Sequence, residues 1–205
     1  VYEAIVKKDR NEFMFNQYKS GYVLNHSVGM RYYKLLWCYD NSDSAYSQNK
    51  ENYDKYSKEI LNKDDLGEYF WAVLEAKNIE GSAVVKGSNF LTPVLSIEEI
   101  DENTIKVKCA ISPSNILDSH KDVHIPGLWK KSISETKYDL LLQEHEMDFD
   151  KVITDSVSGS LKVYTQMISV KELLSKLENK EAGLSTSNKN EPTHVTQTTK
   201  KVFIN

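Results

Sequence analysis

Two long runs, SVGMRYYKLLWCYD at 27–40 and EYFWAVLEAKNIEGSAVV at 68–85, constrain this chain more than any other feature. The first is rich in aromatic residues and alternates along the chain, and the second adds Val73, Ile79, Val84 and Val85 to Tyr69, Phe70 and Trp71. A period of two places successive side chains on opposite faces of a strand, so each run reads as extended. The first is predicted to be a long strand from about Ser27 to Tyr39, the second a strand broken at Gly81. Twelve tyrosines against eight glycines tilt the whole chain the same way.

Shorter patterns fill in the rest. VYEAIV at 1–6 reads as a strand, and RNEFMFNQYKSGY as a helix with Phe13 and Tyr18 on one face and Gly21 as its stop. Between the two long runs, Tyr46, Asn49, Tyr53, Tyr56 and Ile60 fall at helical spacing, predicting a surface helix that turns a tyrosine stripe to the core. LSIEEIDENTIKVKCAIS predicts a hairpin turning at DENT, and DKVITDSVSGSLKVYTQMI a second one turning at Gly159. HIPGLWKKSISETK opens a short helix with Leu128, Trp129 and Ile133 as its apolar side; YDLLLQEH is a short buried strand; VKELLSKLE is a short helix. Residues 180–200 are polar and aperiodic and read as a mobile loop, and KVFIN as a last strand.

Strands outnumber helices. The predicted class is mainly β with α (α+β), a curled sheet or β-barrel flanked by helices, in a single domain over 1–205. A chain of 205 residues with 40% hydrophobic and 27% charged residues is large enough for such a core. A net charge of −4 supplies no electrostatic attraction to nucleic acid or an anionic membrane. No apolar run approaches the roughly 18 residues of a membrane span. The start, VYEAIVKKDR, does not read as a signal peptide. Cys38 and Cys109 lie far apart in apolar strand-like runs, which suits buried, reduced thiols rather than a disulfide or zinc.

Two clusters could carry chemistry. Ser27 stands in NHSVGM and His145 ends the apolar strand LLLQEH. A serine hydroxyl needs a base within hydrogen-bond reach and a third group to orient that base, for which Glu75 and Glu80 are candidates. Gly29, two residues past Ser27, would let a backbone N–H approach an oxyanion. The other cluster is DSHKDVH. If extended, it turns Asp118, His120, Asp122 and His124 to one face, a donor set suited to zinc or manganese; as a solvated loop it holds no metal. His26 is a neighbour that tunes Ser27, His194 falls in the polar loop, and the acidic residues of EHEMDFD read as a solvated strand end.

Four segments resemble the prohead (capsid-maturation) serine proteases of tailed bacteriophages, distant relatives of the herpesvirus assemblins. NHSVGM is similar to the family's nucleophile segment, and EGSAVVKGSNFLTP to the strand after it. DSHKDVHIPGLWKKSI is similar to the early segment in which Asp-Val and Pro-Gly precede a helix. LLLQEHEMDFDKVI resembles the strand bearing the catalytic histidine. Together they cover roughly 60–70 residues. The family order is reversed here, with the serine segment (1–94) ahead of the histidine segment (95–205). Joining TTKKVFIN to VYEAIV restores that order as one strand, so a circular permutation bridged by FLTPVLSIEE is the simplest account; two pieces of a maturing chain in unusual order is the other.

The resemblance implies an assemblin-like fold with Ser27 as nucleophile, His145 as general base and Glu80 as third member, although the assemblins use a second histidine in that role. It implies no cofactor and no metal, and demotes DSHKDVH to a strand-to-helix turn. The implied substrates are scaffold segments, the major capsid protein and the protease itself, inside the assembling phage head in the bacterial cytoplasm; a homo-oligomer stays open. Two rivals remain: a non-catalytic capsid-associated protein keeping the fold, and a metal-dependent hydrolase.

Overall fold

The computed structural model describes residues 1–187, with side chains through residue 178. The order is β1 (Tyr2–Lys7), α1 (Glu12–Lys19), β2 (Asn25–Tyr39), α2 (Ser47–Tyr56), β3 (Tyr69–Val84), β4 (Val94–Asp101), β5 (Thr104–Cys109), β6 (Asp122–His124), α3 (Lys130–Glu135), β7 (Leu140–Gln143), β8 (Val152–Asp155), β9 (Leu161–Val163) and α4 (Val170–Ser187).

The two long runs become an antiparallel ribbon, β2 against β3, of 15 and 16 residues. At about 3.3 Å per residue it is some 50 Å long. Strand β3 is the spine of a sheet ordered β2-β3-β7-β8. Along its second edge it pairs first with β6, in parallel at Trp71–Val73, and then with β7, in parallel at Gly81–Ala83. The second sheet is ordered β4-β5-β1-β9. Alternation sets its burial: Tyr2, Ala4 and Val6 of β1 point inward, as do Ile105 and Val107 of β5.

The main core lies between the sheets, where β1 and β5 meet Leu141, Ile153 and Ala83 from the first sheet and Phe15 and Tyr18 from α1. Helix α1 starts where Asn11 Oδ1 accepts from the Met14 N–H at 3.0 Å, and stops before Gly21 at φ 75°. Its buried face is Met14, Phe15 and Tyr18. Phe13, expected to share that face, is 59% exposed, because the core-facing stripe runs one residue further on. The tyrosine helix keeps its stripe in part. Tyr56 and Ile60 are buried against Phe70, Cys38 and Ala72 at the far end of the ribbon, and Tyr53 packs on Phe70 with ring centroids 5.5 Å apart. Tyr46 precedes α2 in a short 3-10 turn and sits edge-on to Trp37 and Tyr39.

Four expectations are corrected. The described sheets are open, so no barrel closes among the described residues; alternation identifies a strand's buried face but not its lateral partner. Gly81 does not break β3: the strand runs through it because Tyr2 lies where a side chain would stand, 2.6 Å from an ideal Cβ. The GSL turn forms at Gly159 (φ 74°), yet β8 and β9 are no hairpin, since β8 pairs with β7 and β9 with β1. The predicted loop at 180–200 begins inside helix α4, which runs to Ser187; its remainder, and the KVFIN strand with its continuity into VYEAIV, lie outside the described residues. The DENT hairpin forms as expected, β4 against β5. Neither Cys38 nor Cys109 is in a disulfide, both are buried, and burial pushes the Cys38 thiol up to about 11. Among the described residues no helix is long and apolar enough to cross a membrane.

Candidate active site

The ribbon register sets Ser27 opposite Ser82 and Gly29 opposite Glu80. Directly opposed residues of an antiparallel pair share a face, so these four line up on one side of the sheet. The intervening pair, Val28 and Gly81, turns the other way, toward Tyr2 and the main core.

His145 reaches this face from β7. That strand runs beside β3 with Leu142 against Ser82 and Gln143 against Ala83. Glu144 and His145 then both adopt left-handed backbone, φ 50° and 62°, which non-glycine residues rarely do. Two such residues in succession are strained and persist only where their surroundings hold them. Here the Glu144 N–H donates to Ala83 O at 3.0 Å and the His145 N–H to Ser82 Oγ at 3.1 Å. The Val85 N–H donates to Glu144 Oε1 at 2.6 Å. The turn carries the imidazole back across β3.

The imidazole lands on Glu80. His145 Nδ1 is 2.6 Å from Glu80 Oε1, and Ser82 Oγ donates to Glu80 Oε2 at 2.5 Å. Both oxygens of a carboxylate that is only 3% exposed are therefore engaged. A carboxylate accepts, so Nδ1 carries the proton and Nε2 presents its lone pair away from Glu80. The hydrogen bond from Glu80 raises the imidazole above its ordinary 6.5, against a smaller opposing effect of burial. The ring itself is 41% exposed.

Ser27 and His145 line one cleft of about 450 Å³. Its other walls are the loops at Lys86–Ser88 and Asp118–His120, tied together by a 3.1 Å bond from the Ser119 N–H to Ser88 O. At Gly87 the first loop lies against β2, where an ideal Cβ would stand 2.8 Å from His26 O. Among the described residues Ser27 Oγ makes no hydrogen bond, nor does His145 Nε2. A half-buried hydroxyl and an oriented imidazole thus face shared space, an arrangement that tightens in many hydrolases only when substrate binds.

The remaining candidates separate. Glu75 is paired with Lys131 at 3.2 Å and takes no part. DSHKDVH is not extended throughout. Lys121 is left-handed at φ 66°, Asp118 Oδ1 accepts from the N–H groups of His120 and Asp122, and only Asp122–His124 is strand. Asp122 accepts from Tyr32 Oη, and His124 Nδ1 meets Ser112 Oγ at 2.7 Å. Burial lowers His124 to about 4. Among the described residues no group of three or more His, Cys, Asp and Glu is placed to hold a metal ion. His26 is fully buried behind Ser27, its Nε2 2.9 Å from Tyr18 Oη and its Nδ1 3.1 Å from Thr92 O. His194 lies outside the described residues.

Two residues at the site escaped the sequence reading. Ser82 had a signal, since it stands two positions beyond Glu80 and a strand returns to the same face at that spacing. His120 was weighed only as a metal ligand and instead lines the cleft.

Gly29 makes room for Glu80. An ideal Cβ there would fall on Glu80 Oε1 and 2.9 Å from Cδ, so the missing side chain is the space the carboxylate occupies. The ladder also slips between Gly29 and Met30, which bends β2 beside the site. Gly29→Ala is expected to displace Glu80 and to cost about 1–3 kcal/mol by overpacking. Urea unfolding should show a lower midpoint at unchanged slope; an unchanged midpoint refutes the packing argument.

Comparison of the chain with family models, curated protein sequences and solved structures gives no match in any of the three.

Proposed function

We propose that the chain is a serine endopeptidase in which Ser27 is the nucleophile, His145 the general base and Glu80 the group that orients the base. The observation that carries this reading is the buried Glu80 carboxylate holding His145 Nδ1 at 2.6 Å while the imidazole borders the same cleft as Ser27. Nucleophile, base and orienter come from β2, the β7 turn and β3, and the geometry of such a trio matters more than its order along a chain. Reversal of the family's segment order is therefore no obstacle: β3 lies between β2 and β7 whichever of them comes first.

The reaction is acyl transfer. Nε2 of His145 takes the Ser27 proton as Oγ attacks the scissile carbonyl, and the imidazolium so formed is stabilised by Glu80. The same proton then goes to the leaving amine, and water repeats the sequence on the acyl-enzyme. By resemblance to the prohead proteases, the substrates are scaffold segments, capsid protein and the chain itself, cut during phage head assembly.

A fluorophosphonate tests the assignment directly. It should label Ser27, and the rate should rise with pH through a midpoint above 6.5, because the base form of His145 is reached only above its raised pKa. Absence of label, or label retained by Ser27→Ala, refutes it. Unimpaired self-cleavage in Ser27→Ala would point instead to a structural protein that keeps the fold.

A further inference from the structure

We propose that Ser82 is a positioning residue of this site, one hydroxyl that fixes both the carboxylate orientation and the backbone of the catalytic pair; the inference rests on the protease reading above. Ser82 is fully buried and takes no part in the cleft. Its Oγ accepts from the His145 N–H at 3.1 Å, so its only proton is committed to Glu80 Oε2 at 2.5 Å. A hydroxyl with its proton so committed, and with no exposure to the cleft, is not a second nucleophile.

Three consequences meet in that one group. With Ser82 on Oε2 and His145 on Oε1, Glu80 serves as acceptor at both oxygens, which fixes the carboxylate in the orientation that meets Nδ1. The bond to the His145 N–H steadies a left-handed residue at φ 62°, whose backbone has no glycine to relieve it. Ser82 also stands directly opposite Ser27, so the residue that locates the base is the cross-strand neighbour of the nucleophile. Any shift of the β7 turn relative to β2 is opposed at this point.

The test uses the full chain with Ser82→Ala and Ser82→Thr. Ser82→Ala should slow fluorophosphonate labelling of Ser27 by about 10–100-fold, the usual size of a lost outer-shell hydrogen bond. It should also bring the pH midpoint of labelling, and the titration of the His145 ring followed by NMR, down toward the ordinary imidazole value. Ser82→Thr keeps the hydroxyl and should restore both midpoints. Should the alanine variant fold poorly, Ser82→Cys, nearly the same size with a much weaker donor, is expected to behave as alanine does. A purely structural serine predicts a lower melting temperature with both midpoints unmoved, and that result overturns the proposal. Failure of the wild-type chain to label at Ser27 overturns the protease reading instead, while the NMR titration still reports on Ser82 without any activity.

Discussion

Ser27→Ala and His145→Ala are each expected to lower peptide-bond cleavage on the order of 10⁶-fold, and the double variant by no more than either alone. In the proposed mechanism nucleophile and base act as a unit. Without the Oγ there is nothing for the imidazole to deprotonate, and without Nε2 the hydroxyl keeps its ordinary, unreactive pKa. The fold should tolerate Ser27→Ala, whereas His145→Ala should fold with lower stability because it strips one donor from the buried Glu80 carboxylate. Ser27 is half-buried and its Oγ makes no hydrogen bond among the described residues, and the His145 ring is 41% exposed, so neither truncation opens a core cavity. Single-turnover cleavage of an unfolded protein substrate, alongside self-cleavage of the full chain, supplies the measurement. Additive losses, or substantial cleavage by Ser27→Ala, would remove Ser27 from the chemistry.

Glu80→Gln should lower turnover by about 10⁴-fold while leaving the packing nearly unchanged, since the two side chains are close in size. The reason is the tautomer. A carboxylate can only accept from Nδ1, whereas an amide turned to offer its NH₂ donates to Nδ1 and drives the proton to Nε2, where it blocks the Ser27 hydroxyl. The pH dependence carries the sign. His145 has a folded pKa above its unfolded 6.5 because Glu80 bonds to Nδ1, so the stability contributed by that contact is fully present below 6.5. It is lost as pH rises through the raised value. Wild type should therefore exceed Glu80→Gln in stability most clearly just below pH 6.5, with the difference shrinking in alkaline buffer. A constant difference across that window would mean that the pair does not titrate as a unit. The same variant should bring the labelling midpoint down to the ordinary imidazole range.

Those effects depend on a carboxylate that is buried at a cost and compensated locally. Removing Glu80 from water is unfavourable unless its oxygens are bonded, and here each has one donor. Gly29 contributes by having no side chain, and the bulge beside it bends β2 where the cleft opens. Strain, burial and a missing side chain gather at one point of the ribbon. Such a concentration is in keeping with the proton transfer proposed for this site.

Much of the local structure was legible along the chain. The alternation at 27–39 and 69–84, the DENT hairpin and the helix ending before Gly21 all follow from contacts within a few residues, so a short window is enough to read them. The resemblance to the prohead proteases put Ser27, Glu80 and His145 forward, and the structure brings them to one face or one cleft. Ser82 was readable in principle, because the spacing Glu-Gly-Ser returns to the same strand face. What misled was any feature whose meaning depends on a distant partner. DSHKDVH alternates like a strand, but Asp118 folds back on its own backbone and breaks the alternation at Lys121. Gly81 reads as a breaker until Tyr2 is seen filling its place. The segment around Gly159 reads as a hairpin, although its two strands belong to different sheets.

The sequence alone determined which residues are extended, which faces are apolar and which side chains are chemically able to act, because periodicity and residue chemistry are properties of a few neighbouring positions. Only the tertiary structure decided that β3 stands between β2 and β7, that the described sheets stay open, and that His145 turns back over Glu80 through two left-handed residues. Strand partners are chosen by packing between segments far apart in the chain, and that choice sets the distance between a hydroxyl and an imidazole.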